Sequence, residues 1–534
     1  MSDLRASAAQ EPLEYDWLVI GSGFGGSVAA LRLREKGYRV CVVEKGRRFR
    51  GEDFPETNWS LRRYLWLPEL GCRGPQGFTL LRHVLLFHGV GLGGGSLVYA
   101  GVLVEPPAGF FDAPVWRDLC DWPTELAPHF ETVRKTIGVT VTPHRTEPDV
   151  RLEELVRERG DGAVVHDVPM GILLGAPGEE GRVVDDPYFG GRGPARRNCT
   201  LCGGCMVGCR FDAKNTLDRN YLHLAEQMGT EIRTETEVTR VEPIERDGGA
   251  GYRVTTSRGE LRARGVVFAA GALGTQALLQ RCRDEGALPF LSERLGAEIR
   301  INNEDIVFVT TRRDADHTRA PAGSARVALP SQTNALAARF SRGSSFMSLL
   351  AVPSTGATRW WGAAGRMIGW LLRRPITTLA LLLKRRWAER SIGLIGMQRA
   401  EGALRVRRGR GLLTLFRRGL VSEPVVERAV PRELAEVRAL AQKLADRTDG
   451  VMQTLVPAAF GVTTTAHLFG GCVIGRGPDE GVVDVDHRVF GYENLLICDG
   501  SVIPVNPGTA PSLTIAAMAE RCMSKIPDHD SGGA

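Results

Sequence analysis

An apolar segment, Asp16-Trp-Leu-Val-Ile20, runs directly into Gly21-Ser-Gly23-Phe24-Gly25-Gly26 and then into an alanine-rich stretch that closes at Lys36. An unbroken apolar run of this length predicts a short, fully buried parallel strand, and the stretch after the glycines predicts a helix. Arg39–Val43 reads as the next strand and ends on Glu44. Glycines at such a turn allow close approach of backbone N–H groups to a pyrophosphate, which the helix N-terminus stabilises, while an acid at the end of the second strand accepts hydrogen bonds from ribose. A glycine turn alone is weak evidence. Strand before, helix after and an acid on the next strand complete the context for a dinucleotide site. Gly21, Gly23, Phe24, Gly25, Gly26 and Glu44 are therefore candidate cofactor contacts. The motif does not separate NAD(P) from FAD.

With 534 residues the chain exceeds what one hydrophobic core serves, so two intergrown domains are expected. Hydrophobic residues at 43% and charged residues at 24% exclude compositional disorder. The net charge of +6 is small for this length and implies no nucleic-acid partner. The polar segment 1–15 has no apolar leader core, and no apolar run is long enough to span a bilayer. Cytoplasmic residence follows as an expectation, with contact at the inner face of a membrane left open. Eleven cysteines fit a reducing compartment.

Three further stretches identify the cofactor through a resemblance. Gly89-Val-Gly-Leu-Gly93-Gly94-Gly-Ser96, Val266–Thr275 and a C-terminal series resemble the glucose–methanol–choline (GMC) oxidoreductases, and among them the cholesterol-oxidase-like branch. The C-terminal series comprises Thr465-Ala-His467, Gly481–Asp484, Asn494–Pro504 with Asp499 and Gly500, and Pro511–Ile515. The resemblance implies an α/β chain, α+β overall: a Rossmann-like FAD-binding domain with an intergrown antiparallel-sheet substrate domain. It implies FAD contacts at the first turn and Glu44, at Val238, at Gly93, Gly94 and Ser96, and at Asp499, Gly500, Ala510 and Pro511. Some relatives tether flavin through a His two residues after the signature Ser. Val98 stands there, so a non-covalent cofactor is expected.

Alcohol oxidation by hydride transfer needs a base for the hydroxyl proton, and imidazole suits it because it titrates near neutrality. The resemblance places that base at His467. The family usually carries His or Asn before the proline of the last segment, but here Ala510 precedes Pro511. Asn506 and Thr509 are the nearby polar residues that a differently folded loop could substitute. Glu304 is a candidate acid, although a loop carboxylate is more often simply solvated.

Cys199-x2-Cys202-x2-Cys205-x3-Cys209 has the spacing of thiolates that wrap an iron–sulfur cluster, but the proline usual after such runs is replaced by Arg210. Zinc and unligated thiols are the alternatives. A cluster would favour a dehydrogenase over an oxidase. The expected domains are 12–300 with 455–528 for FAD, including a cysteine-rich insert at 190–215, and 301–454 for substrate. Within the latter, 360–387 pairs Trp and Leu with Arg and Lys, as membrane-contacting helices do; two core helices with solvated ends read equally well. The expected activity is FAD-dependent oxidation of the CH–OH group of an apolar alcohol, a sterol first, with oxygen or an electron carrier as acceptor. The competing readings are a flavin dehydrogenase for another lipid-like alcohol and a redox-silent, membrane-associated flavin module.

Overall fold

A computed structural model describes residues 12–142, 144–354, 369 and 386–529. The first strand, Tyr15–Ile20, is followed by a helix over Phe24–Glu35 and a strand over Val40–Val43. These form part of a seven-stranded sheet together with Glu231–Arg233, Gly259–Phe268, Tyr252–Thr256, Val238–Pro243 and Leu495–Ile497. Tyr15–Ile20 pairs in parallel with both Val40–Val43 and Gly259–Phe268, and Leu495–Ile497 pairs in parallel with the end of the latter. Residues 17–20 and 40–43 are buried on both faces, which explains their unbroken apolar sequence. The register sets Ile20, Phe268 and Ile497 side by side. Gly21, Ala269 and Cys498-Asp499 therefore leave the carboxyl edge of the sheet together, where doubly wound sheets bind ligands.

The last helix, Ser512–Ser524, packs along the first. Arg32 donates to Glu520 at 2.7 and 2.9 Å, and Tyr221 donates to the same carboxylate at 2.7 Å, which ties the two ends of the chain together.

A second seven-stranded sheet is antiparallel throughout, in the order Ala351–Pro353, Gly450–Leu455, Asp305–Thr311, Ser391–Gln398, Thr333–Ala338, Gly323–Leu329 and Val164–His166. Side chains alternate across it. Val307, Val309, Ala335, Ala337, Ile392 and Leu394 face a core closed by the helices Glu147–Arg159 and Ala435–Arg447, while Ile306, Phe308, Leu336, Ala338 and Ile395 face a large cavity. Residues 147–166 thus pack with the second sheet, although they precede 301 in the chain.

Of the stretch read as membrane-contacting helices, 360–368 and 370–385 lie outside the described residues. Trp387, its last residue, is buried. Its ring meets Phe308 edge-on, and its Nε1 donates to Gln453 at 3.1 Å. It faces the protein core rather than lipid. Among the described residues no helix is long and apolar enough to cross a membrane.

Beneath the second sheet, Arg339 and Asp149 form an ion pair at 3.1 Å with both side chains fully buried. Burial pushes the Asp149 carboxyl up, but Arg339 and hydrogen bonds from Ser324 and Thr146 outweigh it and hold it below its usual value. A carboxyl lowered on folding contributes stability above the unfolded value near pH 4, and loses that contribution as pH falls through the folded value. Arg339→Ala should therefore cost roughly 3–5 kcal/mol of unfolding free energy at neutral pH, because it leaves a buried charge unpaired, and much less in acid. Denaturant melts at two pH values check this. An equal loss at both would show that packing, not charge, holds the site.

Candidate active site

The carboxyl edge of the first sheet and the inner face of the second enclose one cavity of about 660 Å³. Gly21, Gly23, Phe24, Glu44 and Val238 all line it. Gly21 has φ +96°, and a Cβ there would fall 2.4 Å from the Ala269 carbonyl oxygen, so only glycine fits. Gly25 and Gly26 do not line the cavity; a Cβ on either would strike the Cys498 or Gly21 carbonyl oxygen, so they serve the packing of helix against sheet. Gly23 differs, because a Cβ there would meet no protein atom within 4 Å. That open space lies at the start of the first helix, where its unpaired N–H groups favour a phosphate.

Glu44 is buried, and its carboxylate accepts from the Ser22 hydroxyl at 2.7 Å, the Ser22 amide at 3.3 Å and the Gly46 amide at 2.8 Å. A carboxylate has about four acceptor positions, so one remains for a ribose hydroxyl. The second glycine loop abuts the first: a Cβ on Gly94 would lie 2.8 Å from Gly23 Cα. Gly94, Gly95 and Val98 line the cavity, whereas Gly93 and Ser96 stand behind it. The Ser96 hydroxyl donates to the Gly93 carbonyl at 2.7 Å and accepts from the Leu217 amide at 3.1 Å, so it shapes the loop. Asp499, Gly500, Ala510 and Pro511 line the opposite wall. Burial pushes the Asp499 carboxyl up, opposed by hydrogen bonds from Ser501 and from Thr275, a residue that the sequence marked only as part of a motif.

His467 sits on the short link between the strand Thr463–Thr465, which pairs with Val84–Gly89, and Phe469–Gly470, which pairs with Ile299–Arg300. Its ring lines the cavity and its Nδ1 is hydrogen-bonded to Glu304 Oε1; the other Glu304 oxygen accepts from the Ala466 amide at 2.9 Å. Glu304 is 2% exposed, so the expectation of a solvated loop carboxylate is corrected. It is buried because Asn302 and Asn303, at φ +56° and +47°, turn the chain inward just before it. Asn506 cannot replace the missing partner at Ala510. Its oxygen accepts from the Asn302 amide at 2.9 Å and its nitrogen donates to Ala400 O at 2.8 Å. Thr509 is buried outside the cavity lining.

The remaining wall is apolar: Phe87, Phe308, Phe340, Met347, Ile395 and Met397 are among its residues. No sequence motif marks them, since they are ordinary strand and turn residues until the second sheet folds. His88 also lines the cavity, and burial, assisted by Lys45, pushes it down to about 4, which keeps it neutral.

The cysteine run folds differently from a cluster site. Cys199 and Cys205 are buried in an apolar cluster, Cys209 is partly buried and Cys202 is exposed. Burial pushes the Cys205 thiol up to about 12 and raises the Cys199 thiol as well. Cys199 Sγ and Cys209 Sγ each accept a backbone N–H at 3.4 Å. Among the described residues the three-ligand cluster compact enough for a metal is His487, Cys498 and Cys522, elsewhere in the fold. The iron–sulfur expectation for Cys199, Cys202, Cys205 and Cys209 is not supported: the four line one small cavity, but among the described residues no three of their sulfurs lie close enough together to share a metal.

These elements match known proteins over nearly their whole extent. Models of the GMC oxidoreductase family match residues 195–283 and 409–519, and an FAD-binding domain model matches 16–61. A cholesterol oxidase of Mycobacterium tuberculosis is 40% identical, over 96% of this chain and 91% of its own length. The chain belongs to the GMC oxidoreductase family. A cholesterol oxidase of Acinetobacter baumannii is 38% identical, over 96% of this GMC oxidoreductase and 94% of its own length. The fold is also that of the pyridoxine 4-oxidase from Mesorbium loti, at TM-score 0.61 and 16% identity over 96% and 98% of the two chains. This GMC oxidoreductase is an FAD-dependent enzyme.

Because a Cβ at position 23 meets no protein atom within 4 Å, Gly23→Ala should fold like the wild type yet purify depleted of FAD. Flavin absorbance and the thermal melt of the apoprotein check both halves. Full occupancy in the variant would mean that the dinucleotide lies elsewhere.

Proposed function

We propose that the protein oxidises the secondary hydroxyl of a sterol-like apolar alcohol, with His467 as the base, non-covalent FAD as hydride acceptor and oxygen as the final acceptor. The observation that carries this reading is the His467–Glu304 pair at the wall of an otherwise apolar cavity. With Nδ1 bonded to a carboxylate, the ring proton resides there and Nε2 keeps its lone pair for the substrate hydroxyl. As the proton arrives, Glu304 stabilises the imidazolium by charge, and its own position is held by the Ala466 amide. FAD, when bound, takes up the hydride. The apolar wall excludes water and favours a substrate whose one polar group is its hydroxyl.

The cofactor would lie along Gly21–Phe24, Glu44, Val238, Gly94 and Asp499–Gly500, with Ala510-Pro511 toward the ring. Val98 lacks a nucleophile for a tether. The parts at 12–300 and 455–528 would hold FAD and 301–454 would shape the substrate site, with 147–166 lent to it. The two cholesterol oxidases support the sterol reading and, being oxidases, oxygen as the acceptor. Ala510 favours a second reading, in which the same chemistry serves another lipid-like alcohol. Its methyl offers the hydroxyl no hydrogen bond, so orientation depends on His467 and on the wall.

Anaerobic addition of cholesterol should bleach the flavin, and air should restore it. His467→Gln should keep FAD but lose about 10²–10⁴-fold in turnover, since an amide cannot accept the proton at neutral pH. Unchanged turnover in that variant would refute the assignment. A flavin that responds to other apolar alcohols and not to sterols would select the second reading.

A further inference from the structure

The strands Leu404–Gly409 and Gly419–Pro424 form an antiparallel hairpin whose tip is Arg410-Gly-Leu412-Leu413-Thr-Leu415-Phe416-Arg417-Arg418. Leu412 is 75% exposed, Leu413 51%, Leu415 78% and Phe416 68%. Single exposed apolar side chains are ordinary, but four within five residues form a patch of the kind that marks an interaction surface. The chain accepts strain to present them: Leu415 and Phe416 are consecutive left-handed residues at φ +49° and +58°, although neither is glycine. Arg410, Arg417 and Arg418 flank the patch, and none has an acidic partner among the described residues, whereas Arg407 lower on the same hairpin pairs with Glu423.

We infer that this tip is a docking finger for a bilayer carrying anionic lipid. Leucine and phenylalanine would enter the boundary between headgroups and acyl chains, and the unpaired guanidinium groups would meet lipid phosphates, which matches their charge and their fork of donors. Leu420, four residues beyond Phe416, lines the cavity that holds His467. Docking would therefore bring the cavity wall to the lipid surface. The advantage for substrate delivery rests on the apolar-alcohol reading; lipid binding itself does not, and the test below reads binding without turnover.

The FAD-loaded full-length protein should be sedimented with vesicles of phosphatidylcholine, with and without phosphatidylglycerol. The wild type should partition onto the mixed vesicles and far less onto neutral ones, with the difference falling as salt rises. At roughly fivefold per arginine, Arg410→Gln/Arg417→Gln/Arg418→Gln should lower partitioning on anionic vesicles by on the order of 10²-fold. Leu412→Ser/Leu415→Ser/Phe416→Ser should remove binding to both vesicle types while flavin content and melting remain those of the wild type. Wild-type protein that stays in the supernatant with both vesicles would overturn the inference. So would a serine variant that sediments like the wild type, which would place any lipid contact elsewhere. A wild type that elutes as a dimer in gel filtration, with a monomeric serine variant, would make the tip a self-association surface instead.

Discussion

Everything at the FAD site depends on a close backbone crossing at the carboxyl edge of the first sheet. A Cβ on Gly25 would lie 1.5 Å from the Cys498 carbonyl oxygen, so the first helix can start only where the C-terminal strand passes directly over a bare Cα. That contact joins residues almost the whole chain apart. It brings Gly21, Gly23 and Asp499 to one rim, and Glu520 then secures it by binding Arg32 from the neighbouring helix. The second glycine loop depends on it in turn, since a Cβ on Gly94 would strike Gly23 Cα.

The His467 end of the cavity relies on a different device. Neither His467 nor Glu304 lies in a regular element, yet each is fixed by one. The histidine is held between two strands, and the glutamate follows a pair of left-handed asparagines. Asn302 also carries the loop that ends at Ala510: its side chain donates to Thr509 O at 3.0 Å and accepts from the Gly508 amide at 2.8 Å, while its amide holds Asn506. The network that buries the carboxylate is thus the one that occupies Asn506 and leaves Ala510 facing the cavity with a methyl group.

Lys214 shows why the cysteine run resists interpretation from spacing. Its buried ammonium donates to the carbonyls of Leu97 and Cys205 at 2.8 and 2.6 Å and also contacts that of Tyr99, joining the cysteine segment to the loop after the second glycine motif. Burial pushes it down to about 8. The run is thereby tied to the loop after the second glycine motif. Spacing counts residues between thiols, but it does not report whether the intervening glycines turn those thiols toward one point or apart.

What the sequence by itself determined is the nucleotide half: strand, glycine turn, helix and acid follow from local apolar runs and glycine positions, and the family and FAD follow from ordered motifs. These are short-range properties, set by backbone sterics within a few residues, so they survive being read one after another. The tertiary structure alone decided the partner of His467, the fate of the cysteines and the wall of the cavity. Glu304 and His467 are 163 residues apart in the chain. A carboxylate in a loop becomes a buried partner only when a distant strand closes over it, because burial and hydrogen bonding are set by what surrounds a residue and not by what precedes it.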